Sequence, residues 1–159
     1  MTRMGFGFDL HPIVPGRALV LGGVTVPSAT GLAGHSDADV LSHAIGEALL
    51  GALALGDLGR HFPDTDARYA GISSLALLRE VMVLVRARGG SLVNVDATLL
   101  AQAPRLQPFL NEMAKRLADT LGIDAGAVSV KAKSPEGLGL VGRKEGMAAM
   151  AVVGVEVAG

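Results

Sequence analysis

The last long segment of the chain, Gly146 to Val157 (GMAAMAVVGVEV), restricts the fold more than any other, because Glu156 is its only charged residue. A strand that is apolar on both faces cannot lie at a solvated sheet edge. It reads as a strand central to a sheet, or one at an interface. The rest of the chain must supply its neighbours and a covering layer. Met4 to His11, stopped by Pro12, reads as one strand. Leu92 to Leu100 alternates like another, and Val128 to Lys133 is a fourth. Arg17 to Val26 (RALVLGGVTV) reads as a strand with a Gly-Gly bulge or turn inside it, giving a short N-terminal hairpin. Pro27 to Gly34 reads as a loop.

Helical signals lie between these strands. Ser36 opens the first helix, with Asp39 three residues on as an S-x-x-D capping box. Val40, Leu41, Ala44, Ile45, Ala48, Leu49 and Leu53 then follow the helical period until Gly56-Asp57. Ser73 to Gly89 is a second helix. Pro104 to Gly122 holds a third, starting near Gln107. Residues 57–71 (DLGRHFPDTDARYAG) are polar and turn-rich, which marks a candidate mobile loop. With 159 residues the chain fits one domain, residues 1–159. The expected fold class is an α/β (α+β) sandwich: a four-stranded mixed sheet with helices on one face, plus the hairpin.

Asp9 and His11 are two apart on a strand, so both point to one face. A carboxylate beside an imidazole suits a borderline-soft divalent ion. His43, about two turns into the first helix, can supply a third ligand from a facing element. Three ligands leave a tetrahedral ion one open position, as in catalytic zinc sites. A D-x-H pair alone is more often structural, and a lone His on an apolar helix is more often a satisfied core residue. Asp39, His43 and Glu47 are spaced four apart, so the two acids are candidates to orient the imidazole. The bland alternative is helix-surface pairing.

Other polar motifs shift the balance. His35-Ser36-Asp37-x-Asp39 sets a His beside a helix N-terminus, a favourable place for an anion. Phe62-Pro63-Asp64-Thr65-Asp66 is a carboxylate-rich turn. Lys131 and Lys133 share a strand face, and Ser134-Pro135-Glu136 follows. That cluster suits phosphate, with a harder cation such as Mg2+ at Glu136. Gly137-Leu138-Gly139-Leu140-Val141-Gly142 satisfies G-x-G-x-x-G but lacks the helix and βαβ unit of a dinucleotide site.

Composition excludes several classes. No cysteine is present, so any metal is held by His, Asp and Glu. A net charge of -1 argues against nucleic-acid or acidic-membrane binding. No targeting segment or apolar run of spanning length is visible, so a cytoplasmic location is expected. A mean hydropathy of +0.45 is high for a small chain, and surplus apolar surface points to an oligomer.

Five blocks carry a specific resemblance: GFDLHP (Gly7 to Pro12), GLAGHSDADVLSHA (Gly31 to Ala44), ALGDLGRHFPDTD (Ala54 to Asp66), NVDATLLAQAPRL (Asn94 to Leu106) and GLGLVGRKEG (Gly137 to Gly146). In this order, over essentially the whole chain, they resemble the 2-C-methyl-D-erythritol 2,4-cyclodiphosphate synthase family of the non-mevalonate isoprenoid pathway. The resemblance implies a metal-dependent, cyclising phosphorus–oxygen lyase. Its substrate would be 4-diphosphocytidyl-2-C-methyl-D-erythritol 2-phosphate, whose 2-phosphate attacks the β-phosphate and releases CMP. It implies that Asp9, His11 and His43 hold zinc or manganese, and that Mg2+ or Mn2+ bridges substrate phosphates near Glu136. His35 and Ser134 would stabilise the transition state. Asp57 and Gly59 would meet the ribose or erythritol part, Asp9, His11, Ser36 and Leu58 would also bind the substrate, and His61, Phe62, Pro63, Asp64, Thr65 and Asp66 would close over the methylerythritol phosphate. Ala101, Gln102, Ala103, Pro104, Arg105 and Leu106 would cradle cytosine with Ala132, Lys133 and Ser134, largely by backbone contacts, and Pro135 would also meet the substrate. A homotrimer with sites between subunits is implied, with Phe8, Leu140 and Arg143 lining a central cavity for an isoprenyl diphosphate. Glu47 stands where many members carry Asp, Ser134 where Thr is common, and Leu140 where Phe is frequent.

Two other readings fit the residues alone. One is a metal-dependent phosphohydrolase or nucleotide-diphosphate transferase, separated by product analysis. The other is a non-catalytic trimeric module binding CDP or isoprenyl diphosphates, which would bind without the metal ligands.

Overall fold

The computed structural model describes residues 1–158. Its elements run β1 (Thr2–Pro15), β2 (Leu19–Leu21), β3 (Val24–Val26), β4 (Thr30–Leu32), α1 (Val40–Ala52), α2 (Leu58–His61), α3 (Ser74–Ala87), β5 (Gly90–Leu100), α4 (Leu110–Leu121), β6 (Val128–Lys133), α5 (Gly139–Gly142) and β7 (Gly146–Val157). The main sheet has five strands in the order β4-β1-β7-β5-β6. β7 is flanked on both sides, antiparallel to β1 from Thr2↔Glu156 to Pro12↔Gly146 and antiparallel to β5. β5 and β6 pair in parallel, so the sheet is mixed. The extra strand relative to the expected four is β4, three residues inside the segment read as loop. It is too short to show alternation, and it pairs with β1 through Ile13↔Leu32.

β2 and β3 form a separate two-stranded hairpin. Gly22 and Gly23, both at positive φ, make its two-residue turn, the conformation for which glycine is suited.

The helices cover one face. α1 packs on β1 and β7, α3 on α1 and β5, and α4 on α3 and β6. Met147, Ala149, Ala151, Val153 and Val155 of β7 point into this core. The opposite face is bare: Met4, Phe6, Phe8 and Leu10 of β1 and Val152 of β7 are exposed.

α1 is buried nearly all round, as a helix apolar on every side must be. His43, Glu47 and Gly51 are its only positions with appreciable exposure. Gly5 and Gly7 let β1 approach it closely. A Cβ at Gly5 would lie 1.9 Å from the Ala48 carbonyl oxygen, and one at Gly7 1.9 Å from that of Ala44. The same alternation that turns Gly5 and Gly7 toward α1 turns Asp9 and His11 the same way, since they continue the inner row of β1.

Candidate active site

Beyond Gly7, the inner row of β1 meets the exposed strip of α1. Asp9 Oδ2 lies 2.7 Å from His11 Nε2 and 3.1 Å from His43 Nδ1. The two ring nitrogens are 3.2 Å apart. Among the described residues, this is the one group of three or more His, Asp or Glu donors close enough to share a metal ion. A tetrahedral ion with bonds of about 2.0–2.2 Å sets its ligands roughly 3.3–3.6 Å apart. The triangle therefore has the size of one coordination face, slightly contracted, and its donor set of one carboxylate and two imidazoles fits zinc or manganese.

His11 has a fixed orientation. Its Nδ1–H donates to the Ala33 carbonyl at 2.7 Å, which turns Nε2 toward Asp9. Burial works to raise the Asp9 carboxyl, but hydrogen bonds from His11 and His43 and their charges outweigh it and hold it well below the usual carboxylate range. For His11, burial opposes the charged form. The hydrogen bond and charge of Asp9, helped by Ala33 and Asp39, still raise the imidazole above its ordinary value.

The expected helix start is corrected. Asp39, not Ser36, is the N-cap of α1 and accepts from Ser42 N at 3.0 Å. Asp39 is fully buried and also accepts from Gly22 N, Gly23 N and Ser42 Oγ at 2.9, 2.8 and 2.7 Å. Burial nevertheless pushes its carboxyl up, partly offset by these donors. Its carboxylate ties the helix start to the hairpin turn and makes no hydrogen bond to the His43 ring; His43 meets Asp39 only through its backbone N–H, which donates to the Asp39 carbonyl at 3.0 Å. Its own carboxylate occupies the helix terminus that looked available to a phosphate.

Glu47 does not orient His43 either. It accepts from Leu58 N at 3.2 Å and so pins the start of α2. Burial raises its carboxyl, the Leu58 N–H lowers it, and the nearby Asp57 and Asp9 raise it further. The groups that do meet His43 are two hydroxyls. Ser74 Oγ lies 2.9 Å and Ser36 Oγ 3.1 Å from His43 Nε2. Ser74 is 31 residues away in sequence and stood inside an apolar helix pattern, so no local signal marked it.

A pocket of about 430 Å³ opens above this triad. Asp9, His11, His35, Ser36, His43, Leu58, Gly59, Phe62, Pro63 and Asp64 line it, with Glu47, Tyr69 and Leu77, which the motifs did not flag as pocket residues. Phe62 packs edge-on against Tyr69 with centroids 5.4 Å apart. Residues 57–71 are more ordered than a structureless loop. Asp57 caps α2 by accepting from Arg60 N at 2.9 Å. Asp66 caps the 3-10 turn Ala67–Tyr69 and pairs with Arg68 at 2.6 Å. His35 Nε2 donates to the Asp66 carbonyl at 3.0 Å, joining the two lips. Asp57, His61, Thr65 and Asp66 therefore do not line the pocket: the first and last are caps, and His61 Nε2 donates to the Leu55 carbonyl at 2.9 Å. Arg17, also unflagged, donates to the Gly34 and Ser36 carbonyls, each at 2.9 Å, and braces the His35-Ser36 backbone.

A second pocket, about 280 Å³, is lined by Ala101, Gln102, Pro104, Arg105, Leu106, Ala132, Lys133 and Ser134, with Gln107. Gln102 Oε1 accepts from Gly137 N at 2.9 Å, and Ser134 Oγ from Glu136 N at 3.1 Å, so the two loops are stitched together. Ala103, Pro135 and Glu136 lie outside its lining. Lys131 is drawn into an ion pair with Asp96 at 2.6 Å and does not join Lys133. A third hollow of about 260 Å³ at the bare face holds Leu140 with Leu10, Pro12 and Gly146. Phe8 and Arg143 do not line it. Arg143 pairs with Glu145 at 3.1 Å. No helix among the described residues is long and apolar enough to cross a membrane.

Known proteins are similar to this chain in sequence and fold. The model of the YgbB family matches residues 2–156. A 2-C-methyl-D-erythritol 2,4-cyclodiphosphate synthase of Pelotomaculum thermopropionicum is 55% identical over 157 residues, spanning 99% of this chain and 97% of that protein. The synthase of Syntrophobacter fumaroxidans is 57% identical over 151 residues, 95% of each. Among solved structures, the bifunctional IspDF of Campylobacter jejuni aligns with a TM-score of 0.96 at 40% identity, over 99% of this chain and 43% of the longer one. The CDP complex of Plasmodium falciparum IspF aligns with a TM-score of 0.87 at 30% identity, over 99% of this chain and 97% of that one. The chain belongs to the YgbB family, the family of the 2-C-methyl-D-erythritol 2,4-cyclodiphosphate synthases to which it is so similar.

Proposed function

We propose that the chain converts 4-diphosphocytidyl-2-C-methyl-D-erythritol 2-phosphate to the cyclic 2,4-diphosphate with release of CMP. The observation that carries this reading is the Asp9–His11–His43 triangle at the floor of the 430 Å³ pocket. An oxygen of the 2-phosphate attacks the β-phosphorus, the bond from that phosphorus to the oxygen bridging to CMP breaks, and CMP departs with the electron pair. The step needs no protein nucleophile. It needs two anionic groups held in line with their charge neutralised.

Asp9, His11 and His43 hold Zn2+ or Mn2+, which when bound supplies Lewis acidity at a phosphate oxygen. His35 and Ser134 donate to the oxygens that gain charge in the transition state. Glu136 takes part in holding Mg2+ or Mn2+ on the substrate diphosphate. Leu58, Gly59, Phe62, Pro63 and Asp64 surround the methylerythritol end. Backbone groups of residues 101–106, with Ala132 and Lys133, hold the cytosine. Asp57, His61, Thr65 and Asp66 act on the shape of the lip.

The two pockets share no lining residue, and the bare sheet face carries Phe6 and Phe8. Both features favour a homotrimer in which the cytidine pocket of one subunit completes the metal pocket of the next. The Leu140 hollow would then border a central cavity able to take an isoprenyl diphosphate. We place the enzyme in the cytoplasm. The test is incubation of purified protein with substrate, Zn2+ and Mg2+, followed by phosphorus NMR. CMP with a cyclic diphosphate is expected. A linear phosphate would favour a phosphohydrolase, and no CMP at all would overturn the reading.

A further inference from the structure

Asp37 has no place in the reaction as drawn, yet it is tightly engaged. It lies in the turn before α1, and its carboxylate reaches the N-terminus of α3. Its Oδ2 accepts from Ser74 N at 3.1 Å and its Oδ1 from Asp39 N at 3.1 Å. Its Oδ1 also accepts the hydroxyl hydrogen of Ser74. Ser73, the N-cap of α3, makes no side-chain cap bond, so the carboxylate of Asp37 serves that helix end instead.

Ser74 is 1% exposed, and a serine hydroxyl has one hydrogen. With that hydrogen committed to Asp37, Ser74 Oγ can only accept from its other neighbours, His43 Nε2 at 2.9 Å and, more distantly, Ser36 Oγ at 3.5 Å. Ser36 Oγ, at 3.1 Å from the same nitrogen, accepts from Ala38 N and keeps a hydrogen of its own. Alone it would suit either tautomer of the imidazole. The committed hydroxyl of Ser74 removes that ambiguity and requires Nε2 to carry the hydrogen. In the neutral ring Nδ1 then keeps its lone pair free for a metal ion, on the side of Asp9 Oδ2 and His11 Nε2.

We infer that Asp37 and Ser74 are positioning residues: a carboxylate–hydroxyl–imidazole chain that fixes the ring orientation and tautomer of His43 and so sets the metal affinity of the site. The chain is the counterpart of the Ala33 carbonyl behind His11. Asp39 and Glu47, the acids at helical spacing from His43, have no part in it. Neither Asp37 nor Ser74 lines the metal pocket, so neither touches the substrate there.

The inference rests on the metal reading of the triangle, and the experiment separates the two. Zn2+ affinity of the metal-stripped protein is measured by competition with a chromophoric chelator, and Co2+ absorption reports the ligand field. Ser74→Ala is expected to weaken Zn2+ binding by about 10- to 100-fold, the usual effect of losing an outer partner of a ligating histidine, and to alter the Co2+ spectrum. Ser74→Thr keeps the hydroxyl and should restore both. Asp37→Asn, which can turn an amide hydrogen toward Ser74 Oγ, should weaken binding in the same direction and covers the case in which the added methyl of Thr disrupts α3. Wild-type Zn2+ affinity and an unchanged Co2+ spectrum in Ser74→Ala would overturn the inference alone. A wild-type protein that binds no Zn2+ would overturn the metal site and the inference together.

Discussion

His11 and His43 meet through opposite ring nitrogens, Nε2 of the first and Nδ1 of the second lying 3.2 Å apart with Asp9 Oδ2 beside both. Each ring reaches this position because its other nitrogen is occupied, by a backbone carbonyl in one case and by hydroxyls in the other. Neither ring can be replaced by the other's neighbours. Removing either should cost several kcal/mol of transition-state stabilisation, or at least ~100-fold in kcat/KM. The expected result for His11→Ala and His43→Ala is therefore parallel loss of bound Zn2+ and of CMP release. Metal analysis beside a CMP assay checks it, and full activity in a metal-free variant would contradict it.

The same cluster sets a pH dependence. In the metal-free protein Asp9 is held far below its ordinary 3.8 and His11 is raised above its ordinary 6.5. The depressed carboxyl adds stability that is present above pH 3.8 and is lost as pH falls through the lowered value. The raised imidazole adds stability that is full below pH 6.5 and is lost as pH rises through the raised value. Both act together between about pH 4 and 6.5. This cluster should lower the melting temperature of the metal-free protein as pH rises above that window. Zn2+ needs a neutral His11, so the Zn2+-induced rise in Tm should grow over the same interval. Thermal melts with chelator and with Zn2+ measure both trends. A Zn2+ effect that shrinks with rising pH would contradict the assignment.

Gly7 offers a test of how the fold positions the ligands. A Cβ there would sit 1.9 Å from the Ala44 carbonyl oxygen and 2.7 Å from Ala48 N, both backbone atoms that cannot swing aside. Gly7→Ala must push β1 away from α1, and with it Asp9 and His11 away from His43. Overpacking usually costs 1–3 kcal/mol, and a backbone-to-backbone clash belongs at or above ~3 kcal/mol. Urea denaturation should show that loss, and Zn2+ affinity should fall with it. A Gly7→Ala protein of wild-type stability would show that β1 and α1 are not packed this closely.

Much of this was legible in the chain, and the rest was not for identifiable reasons. Gly146 to Val157 declared itself central because no solvated strand is that apolar, and it is flanked by β1 and β5. Period-2 spacing put Asp9 and His11 on one face, and the helical period put His43 and Glu47 on the one exposed strip of α1. The cap was misread because both Ser36 and Asp39 are good cap residues, and only the hairpin amides of Gly22 and Gly23 decide between them. Ser74 was invisible because its partners, Asp37 and His43, lie more than 30 residues away. β4 was missed because three residues carry no period.

The bare sheet face offers a test of the proposed assembly. Phe6 is 63% exposed and Phe8 53%, and in register across β7 they stand beside Val152 and Met150. Large aromatics in a row on a sheet face are the usual mark of a surface covered by another chain. Light scattering should give about 49 kDa, three times the 16.2 kDa chain. Phe6→Asp places a charge in the middle of that row and should yield a smaller species, because burying an unpaired carboxylate is strongly unfavourable. If the metal pocket of one subunit is completed by residues 101–106 and Lys133 of another, the dissociated variant should also lose CMP release, while each separate chain keeps its Zn2+ triangle. A monomeric wild type with full activity would refute both the assembly and the shared site. An active, dissociated Phe6→Asp would refute only the sharing.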